Sequence, residues 1–299
     1  MHEKLFFQCG VDCEPLMDKS PACGGPGSWE ISEKAILKYL DIFKAKRILP
    51  ALAFNLTPEA AKAHADLFKQ LKKEGIEIGI QPNVPGFRFP SYKFDLGYYD
   101  KGTQRKIIRE ALEDFKKAVG FLPEVYTACC GSRNEYTYSL LIEFGLKVQR
   151  IPVSGRYNSN RADICTIGGF PYPHWASNHP VIPGCLPLYV IPITGDITGL
   201  GRDKWIFDLR PENPPTHETL ARYRQVVDMN IEVMKLIKAP VKAIVVGTHN
   251  TEYVHFENLE YVIDYVKEKV EKVGMEFIPA SCIKMREFAE EMGGPGKYY

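Results

Sequence analysis

Two carboxylates separated by one residue follow the first apolar run of the chain. Residues 5–11 (LFFQCGV) are mostly apolar, and Asp12 and Glu14 come directly after them. Such a run is typical of a strand covered on both faces, and α/β enzymes place their chemistry at the carboxyl ends of these strands. Side chains two apart in a strand point to the same side. The pair therefore predicts a site for acid–base or metal-assisted chemistry.

A histidine follows a late apolar run in the same way. Residues 241–248 are apolar and β-rich, and His249 comes next. Hydrolysis needs a base within reach of the reacting bond, together with acidic groups or metal ligands. Because His249 and Asp12 share this position at a strand exit, we expect both to belong to one site.

Irregular segments carry the aromatic side chains that could bind a substrate. Residues 152–187 show little periodicity, and a loop of that length in a compact domain is usually functional. This segment contains Tyr172 and Trp175, while Trp29 follows the first strand and Trp205 lies in a second irregular segment. Aromatic rings in such loops predict a platform on which sugar rings stack.

The scaffold that must position these residues alternates between strands and helices. Strand patterns occur at residues 5–11, 48–54, 76–80, 124–128, 146–151, 188–193, 241–248 and 275–278. Helical patterns lie between most of them, with expected starts at Ser32, Thr57, Asn134 and Thr216. This alternation predicts one α/β domain over residues 1–299, a (β/α) barrel of seven or eight parallel strands with outer helices. An open doubly wound sheet is the alternative.

Composition excludes several classes of partner. The 299 residues have a formal net charge of +1 with acids and bases interspersed, which argues against nucleic acid or a membrane surface as the partner. No apolar stretch approaches the length of a membrane span, so we expect a cytoplasmic protein. Eight cysteines are too dilute for a disulfide scaffold in a chain of this size, and reduced thiols are expected. No sequence feature predicts an oligomeric state.

Four strand exits resemble, in order, motifs of the polysaccharide deacetylase (NodB-homology) family of the glycoside hydrolase/deacetylase superfamily. The segments are VDCEP at 11–15, EIGIQPN at 77–83, GSRN at 131–134 and VVGTH at 245–249. The resemblance spans most of the chain and implies a distorted (β/α) barrel that removes N- or O-acyl groups from sugars with one divalent metal. It also implies that Asp12 is the general base, that His249 assists the leaving group or oxyanion, and that Glu14 helps to bind metal.

The chain departs from this family at the metal site. Gln81 and Pro85 stand where the family has two metal-binding histidines, and Arg133 lies a few positions beyond the place of the family's third-motif arginine. If a divalent metal such as zinc binds, another ligand is needed. His174, in the long irregular segment, is the candidate ligand beside Glu14.

We therefore expect a hydrolase that removes an acyl group, at a C–N or ester bond, from a sugar or related amide. Its substrate would be a small molecule or an oligosaccharide, bound by Trp29, Asn83, Arg133, Tyr172 and Trp175. The alternatives are a metal-free hydrolase that uses Asp12 and Glu14, a thiolate of Cys129 or Cys130 paired with His249, and a non-catalytic carbohydrate-binding pseudoenzyme that has lost its metal.

Overall fold

A computed structural model describes residues 3–18, 24–87, 91–158, 161–199, 201–202 and 206–296. The strands are β1 (Lys4–Cys13), β2 (Leu52–Leu56), β3 (Glu77–Ile80), β4 (Val125–Thr127), β5 (Val148–Ile151), β6 (Arg156–Asn158), β7 (Arg161–Cys165), β8 (His174–Trp175), β9 (Tyr189–Pro192), β10 (Gly201–Arg202), β11 (Lys242–His249) and β12 (Glu276–Pro279). The helices are α1 (Trp29–Ala45), α2 (Pro58–Ala63), α3 (Ala65–Lys73), α4 (Val84–Phe87), α5 (Lys101–Val119), α6 (Thr137–Glu143), α7 (His217–Leu236), α8 (Phe256–Lys272) and α9 (Cys282–Glu291).

The main sheet curls into a distorted (β/α) barrel, which confirms the predicted fold class. Its strand order is β11-β1-β2-β3-β4-β5-β9-β8, and β12 pairs with the first half of β1. All of these pairs are parallel except β8 with β9. Every residue of β1 after Lys4 is buried, as expected for a strand covered on both faces.

Strand register brings the predicted site residues together. Asp12 is the Cα partner of His249 on β11 and of Asn55 on β2, so three polar side chains leave neighbouring strands at one level. The carboxyl ends of parallel strands meet at one edge of a sheet, which is why residues so far apart in sequence share this position. The parallel pairing of β1 and β11 thus places Asp12 beside His249, two residues that we expect to belong to one site.

A buried arginine fills the middle of the barrel below this edge. Arg150 on β5 has no exposed side-chain surface, and its Nη2 lies 3.5 Å from the carbonyl oxygen of Gly10. A Cβ atom added at Gly10 would overlap the guanidinium. Glycine at this point of β1 therefore makes the space that lets Arg150 reach across the barrel from β5.

The opposite end of the barrel is covered by α9. Glu77 on β3 accepts hydrogen bonds from the backbone N–H groups of Cys282 and Ile283 at 3.0 and 2.9 Å. These are donors of the first helical turn, which have no partner inside the helix, so a carboxylate here stabilises the helix start. Burial raises the pKa of Glu77, whereas these hydrogen bonds oppose that shift.

Several expected element boundaries are wrong in detail. The first helix begins at Trp29, because Ser28 Oγ accepts a hydrogen bond from the N–H of Ile31, whereas Ser32 is buried within the helix. The helix expected from Thr57 is broken at His64 into α2 and α3. The segment 152–187, expected to be irregular, contains β6, β7 and β8.

Among the described residues, no helix combines the length and apolar character needed to cross a membrane.

Candidate functional site

A cavity of about 350 Å³ opens at the carboxyl ends of the barrel strands. Its wall includes Asp12, Glu14, Gln81, Arg150, Glu212 and His249. The adjoining wall is formed by the turn after β4 and by Asp208 and Arg210, which come from the irregular segment between β9 and α7. Acidic and basic side chains thus face one another across a space large enough for a small molecule or one end of a chain.

Asp12 is held from two sides at one oxygen. Its Oδ1 accepts a hydrogen bond from Asn55 Nδ2 at 2.8 Å and one from Arg150 Nη1 at 3.1 Å. The guanidinium is completely buried, so the pair is only weakly screened by solvent. This arrangement fixes the carboxylate in position and keeps a positive charge beside it.

Glu14 lies in a different environment although it is only two residues away. Gln81 Nε2 donates to Glu14 Oε1 at 2.7 Å, and Asn83 Nδ2 donates to Oε2 at 2.8 Å. Burial raises the pKa of Glu14 to about 7, despite the opposing charge of His249 and the two amide hydrogen bonds. The side chain can therefore gain or lose a proton near neutral pH.

His249 is paired with Glu212, a carboxylate that is not among the predicted site residues. Its Nδ1 lies 2.7 Å from Glu212 Oε1, and the same oxygen accepts the backbone N–H of His249 at 2.9 Å. Burial opposes a charged imidazole, but the hydrogen bond and negative charge of Glu212 outweigh it and raise the pKa of His249 to about 9. Burial also opposes the charge of Glu212, yet His249 and Arg210 together lower its pKa. The two side chains form an imidazolium–carboxylate pair at neutral pH.

The raised pKa of Glu14 predicts how the free energy of unfolding depends on pH. Because the pKa rises from 4.5 to about 7 on folding, the folded state disfavours the ionised form, and stability is lost as pH rises through 7. A shift of this size corresponds to about 3 kcal/mol. We expect the unfolding free energy of Glu14→Gln, relative to wild type, to increase by up to this amount between about pH 4 and about pH 8.

Urea unfolding at both pH values measures this difference. Glu33→Gln, at an exposed position of α1, is the matched control. An unfolding free energy of Glu14→Gln that differs from wild type by the same amount at both pH values would contradict the assignment of a shifted carboxyl group to Glu14.

The residues that could hold a metal do not fit one. Both oxygens of Glu14 accept hydrogen bonds from amide N–H groups, and the positions where the resemblance expects histidines carry Gln81 and Pro85. In the part of the chain that the structure describes, no three His, Cys, Asp or Glu side chains are grouped so that they could hold a metal ion. The amide groups around Glu14 donate hydrogen bonds to its oxygens. A divalent cation would instead need oxygen or nitrogen lone pairs from its neighbours.

His174, the second predicted metal ligand, lies apart from Glu14. It is buried on β8, where its Nδ1 is 2.7 Å from the carbonyl oxygen of Tyr172 and its ring packs edge-on against Phe170. Burial lowers the pKa of His174 to about 4. His174 is not one of the described residues that line the cavity.

The predicted substrate-binding residues divide into two groups. Asn83 contacts Glu14 and so belongs to the site. Tyr172 and Trp175 are each 2 % exposed, Trp29 packs against the core and His64, and Arg133 donates to the carbonyl oxygens of Gly131 and Pro180. These four side chains serve the packing of the loops in this structure. Trp205 lies outside the described residues.

Arg150, Glu212 and Asn55 belong to the site but are not predicted from the sequence. Arg150 lies inside the run 146–151, where an arginine gives no sign of whether it faces the barrel or solvent. Glu212 comes from an irregular segment whose path could not be predicted. Asn55 offers the one usable signal, since it lies next to the end of β2 just as Asp12 does in β1.

The fold resembles that of solved structures of low sequence identity. Neither a protein-family model nor a curated protein matches the chain. A protein titled putative polysaccharide deacetylase from Mycobacterium smegmatis is 16% identical with a TM-score of 0.58, covering 99% of this chain and 93% of that one. A probable polysaccharide deacetylase from Pseudomonas aeruginosa is 15% identical with a TM-score of 0.59, covering 97% and 92%. PuuE allantoinase is 15% identical with a TM-score of 0.58, covering 97% and 91%. These likenesses show the deacetylase-type barrel fold.

Proposed function

We propose that this protein hydrolyses an acyl C–N or ester bond of a sugar or related amide by acid–base catalysis. In this proposal Asp12 is the general base and His249 is the general acid. The observation that carries the proposal is the pairing of the two groups with opposite partners: Asp12 with Arg150 and His249 with Glu212, on adjacent strands at one cavity. The two groups thus lie beside charges of opposite sign, which suits them to the opposite roles of base and acid in one reaction.

The reaction would use the chain's own groups. Asp12 removes a proton from a water molecule as that water attacks the acyl carbon, and the negative charge that develops on the acyl oxygen is stabilised by the imidazolium of His249. The tetrahedral intermediate then collapses, and His249 gives its proton to the leaving nitrogen or oxygen. Glu212, which hydrogen-bonds His249 Nδ1, orients the ring so that Nε2 carries the transferred proton.

Two further features support a polar, neutral substrate. Gln81 Oε1 and Glu212 Oε2 are buried atoms of cavity-lining residues, and no described residue donates a hydrogen bond to either. Buried acceptors normally accept a hydrogen bond, so a ligand with hydroxyl or amide N–H groups would supply the missing hydrogen bonds. The cavity wall contains two ion pairs, Asp12 with Arg150 and Asp208 with Arg210. Because their opposite charges offset each other, the wall favours a ligand without large net charge.

The test is hydrolysis of a substrate panel. Two of the structural neighbours are titled polysaccharide deacetylases and one an allantoinase, so the panel contains N-acetylated and O-acetylated sugars and allantoin. We expect turnover of at least one substrate by wild type and by Glu33→Gln, and loss of turnover in Asp12→Asn. Binding of an acetylated sugar without turnover would instead support the carbohydrate-binding pseudoenzyme.

A further inference from the structure

Two adjacent cysteines form part of the cavity wall. Cys129 and Cys130 lie on the 3₁₀ turn Cys129–Gly131 that follows β4, and both line the cavity that contains Asp12. Their Sγ atoms are 3.8 Å apart. None of the seven cysteines in the described part of the chain forms a disulfide with another described cysteine, and Cys23 lies outside that part. The acid–base mechanism proposed above uses none of them.

The backbone at Cys130 has an unusual conformation. Three non-glycine residues of the described chain have positive φ: Arg47, Cys130 and Lys238. Arg47 and Lys238 directly follow the last residues of α1 and α7 and their caps, where this conformation is common. Cys130, with φ of 54°, is the one that lies in the wall of a cavity. Strained residues of this kind cluster at functional sites, so the turn calls for a chemical explanation.

The surroundings hold this turn in place at the cavity wall. Arg156 Nη1 donates to the carbonyl oxygen of Cys130 at 3.1 Å, which places a positive charge beside the turn. The next residue, Gly131, packs so closely against Pro152 that a Cβ atom would overlap the proline ring. Cys129 is 6 % exposed and Cys130 is more exposed, so a small reagent that enters the cavity meets Cys130 first.

We propose that Cys129 and Cys130 are a vicinal-dithiol site that small-molecule disulfides oxidise to an intramolecular disulfide. The thiolate of Cys130 attacks one sulfur of the reagent and releases one molecule of reagent thiol. The thiolate of Cys129 then attacks Cys130 Sγ in the mixed disulfide and expels the second reagent thiol. Two protein thiols are oxidised and one reagent disulfide is reduced to two thiols, with the two protons passing to the released thiols.

The geometry also predicts that the resulting disulfide is easily reduced. Cα atoms of adjacent residues are about 3.8 Å apart across a trans peptide. Most disulfides join Cα atoms about 4.4–6.8 Å apart, so the bridge would be strained. Strained disulfides have more oxidising potentials and belong to the labile class. The site would therefore form and reopen reversibly and alter the cavity wall at the same time.

Incubation of the full-length protein with oxidised glutathione, followed by intact mass and peptide mapping, tests the proposal. We expect a species that has lost two hydrogen atoms, a cross-linked peptide containing Cys129 and Cys130, and full reversal by dithiothreitol. Phenylarsine oxide, which binds paired thiols, should bind wild type and protect both residues from alkylation.

Single variants separate this site from the other thiols. In Cys129→Ser we expect a stable mixed disulfide of Cys130 with glutathione in place of the internal bridge. In Cys130→Ser, where only the buried Cys129 remains, we expect little reaction with glutathione, and both variants should lose arsenical binding. Cys165→Ser and Cys185→Ser should behave as wild type. The proposal is overturned if wild type keeps both thiols alkylatable after oxidation, or if only mixed disulfides form at them. None of these measurements depends on hydrolytic activity, so their failure leaves the proposed function untouched.

Discussion

Replacing Arg150 by methionine is expected to lower the free energy of unfolding by about 3–5 kcal/mol, since it leaves the buried Asp12 carboxylate without its cation. Arg150 has no exposed side-chain surface and Asp12 is 12 % exposed, so water cannot replace the lost partner fully. The methionine also fills less of the space that Gly10 leaves for the guanidinium. Urea unfolding near neutral pH measures the loss.

A surface pair provides the matched control for Arg150. Arg105 contacts Glu143 at 2.9 Å, but the two side chains are 36% and 45% exposed. Arg105→Met should cost only about 0–1 kcal/mol, because exposed ion pairs contribute little. Adding Asp12→Asn to Arg150→Met should recover part of the stability, as the unpaired charge is then removed. Equal losses for the two arginines would contradict a barrel centre organised by the Asp12–Arg150 pair.

Glu212→Gln is expected to produce the largest change in the chemistry of the site. In wild type, Glu212 outweighs the effect of burial and raises the pKa of His249 to about 9. Without the carboxylate, only the weaker effects of the Glu14 and Asp12 charges oppose burial, so the pKa of His249 should fall well below its wild-type value. His249 would then lose its positive charge at a lower pH than in wild type.

Two measurements follow this change. The first is an NMR titration of the His249 ring protons, assigned by comparison with His249→Gln, which needs no substrate. The second is the pH dependence of kcat/KM on any substrate found, which should fall above about pH 9 in wild type and at a lower pH in Glu212→Gln. We expect His249→Gln to reduce the rate by about 10²–10⁴-fold. An unchanged titration of His249 in Glu212→Gln would refute the pairing.

The parts of this site that the sequence predicts are those fixed by strand periodicity. Asp12, Glu14 and His249 each come at the end of an apolar run, and parallel pairing then brings Asp12 and His249 into register. The fold class follows from the same alternation of strands and helices. These features depend on local patterns together with one general rule of α/β architecture.

The partners of these residues depend on tertiary contacts that no local pattern encodes. Arg150 reaches Asp12 across the barrel, over a sequence separation of 138 residues, and the space for it comes from Gly10. Glu212 reaches His249 from a segment without regular periodicity. The sequence pattern of either segment would be the same if these side chains pointed elsewhere.

Aromatic residues in irregular segments are equally ambiguous. The sequence predicts that Tyr172 and Trp175 stack on sugars, yet both are buried, and Trp175 packs edge-on against Tyr189 with ring centroids 4.9 Å apart. A large apolar surface stabilises a loop by packing as readily as it binds a ligand, and composition alone does not separate the two uses. The burial of each ring decides between them.

We propose that hydrolysis at this cavity depends on side-chain acid–base chemistry and needs no bound metal. The most direct measurement is the rate of acyl release by protein that has been treated with a chelator, confirmed metal-free by elemental analysis, and then supplied with zinc. We predict the same rate before chelation, after chelation and after zinc addition, with loss of turnover in Asp12→Asn throughout. A rate that disappears on chelation and returns with zinc would contradict this account.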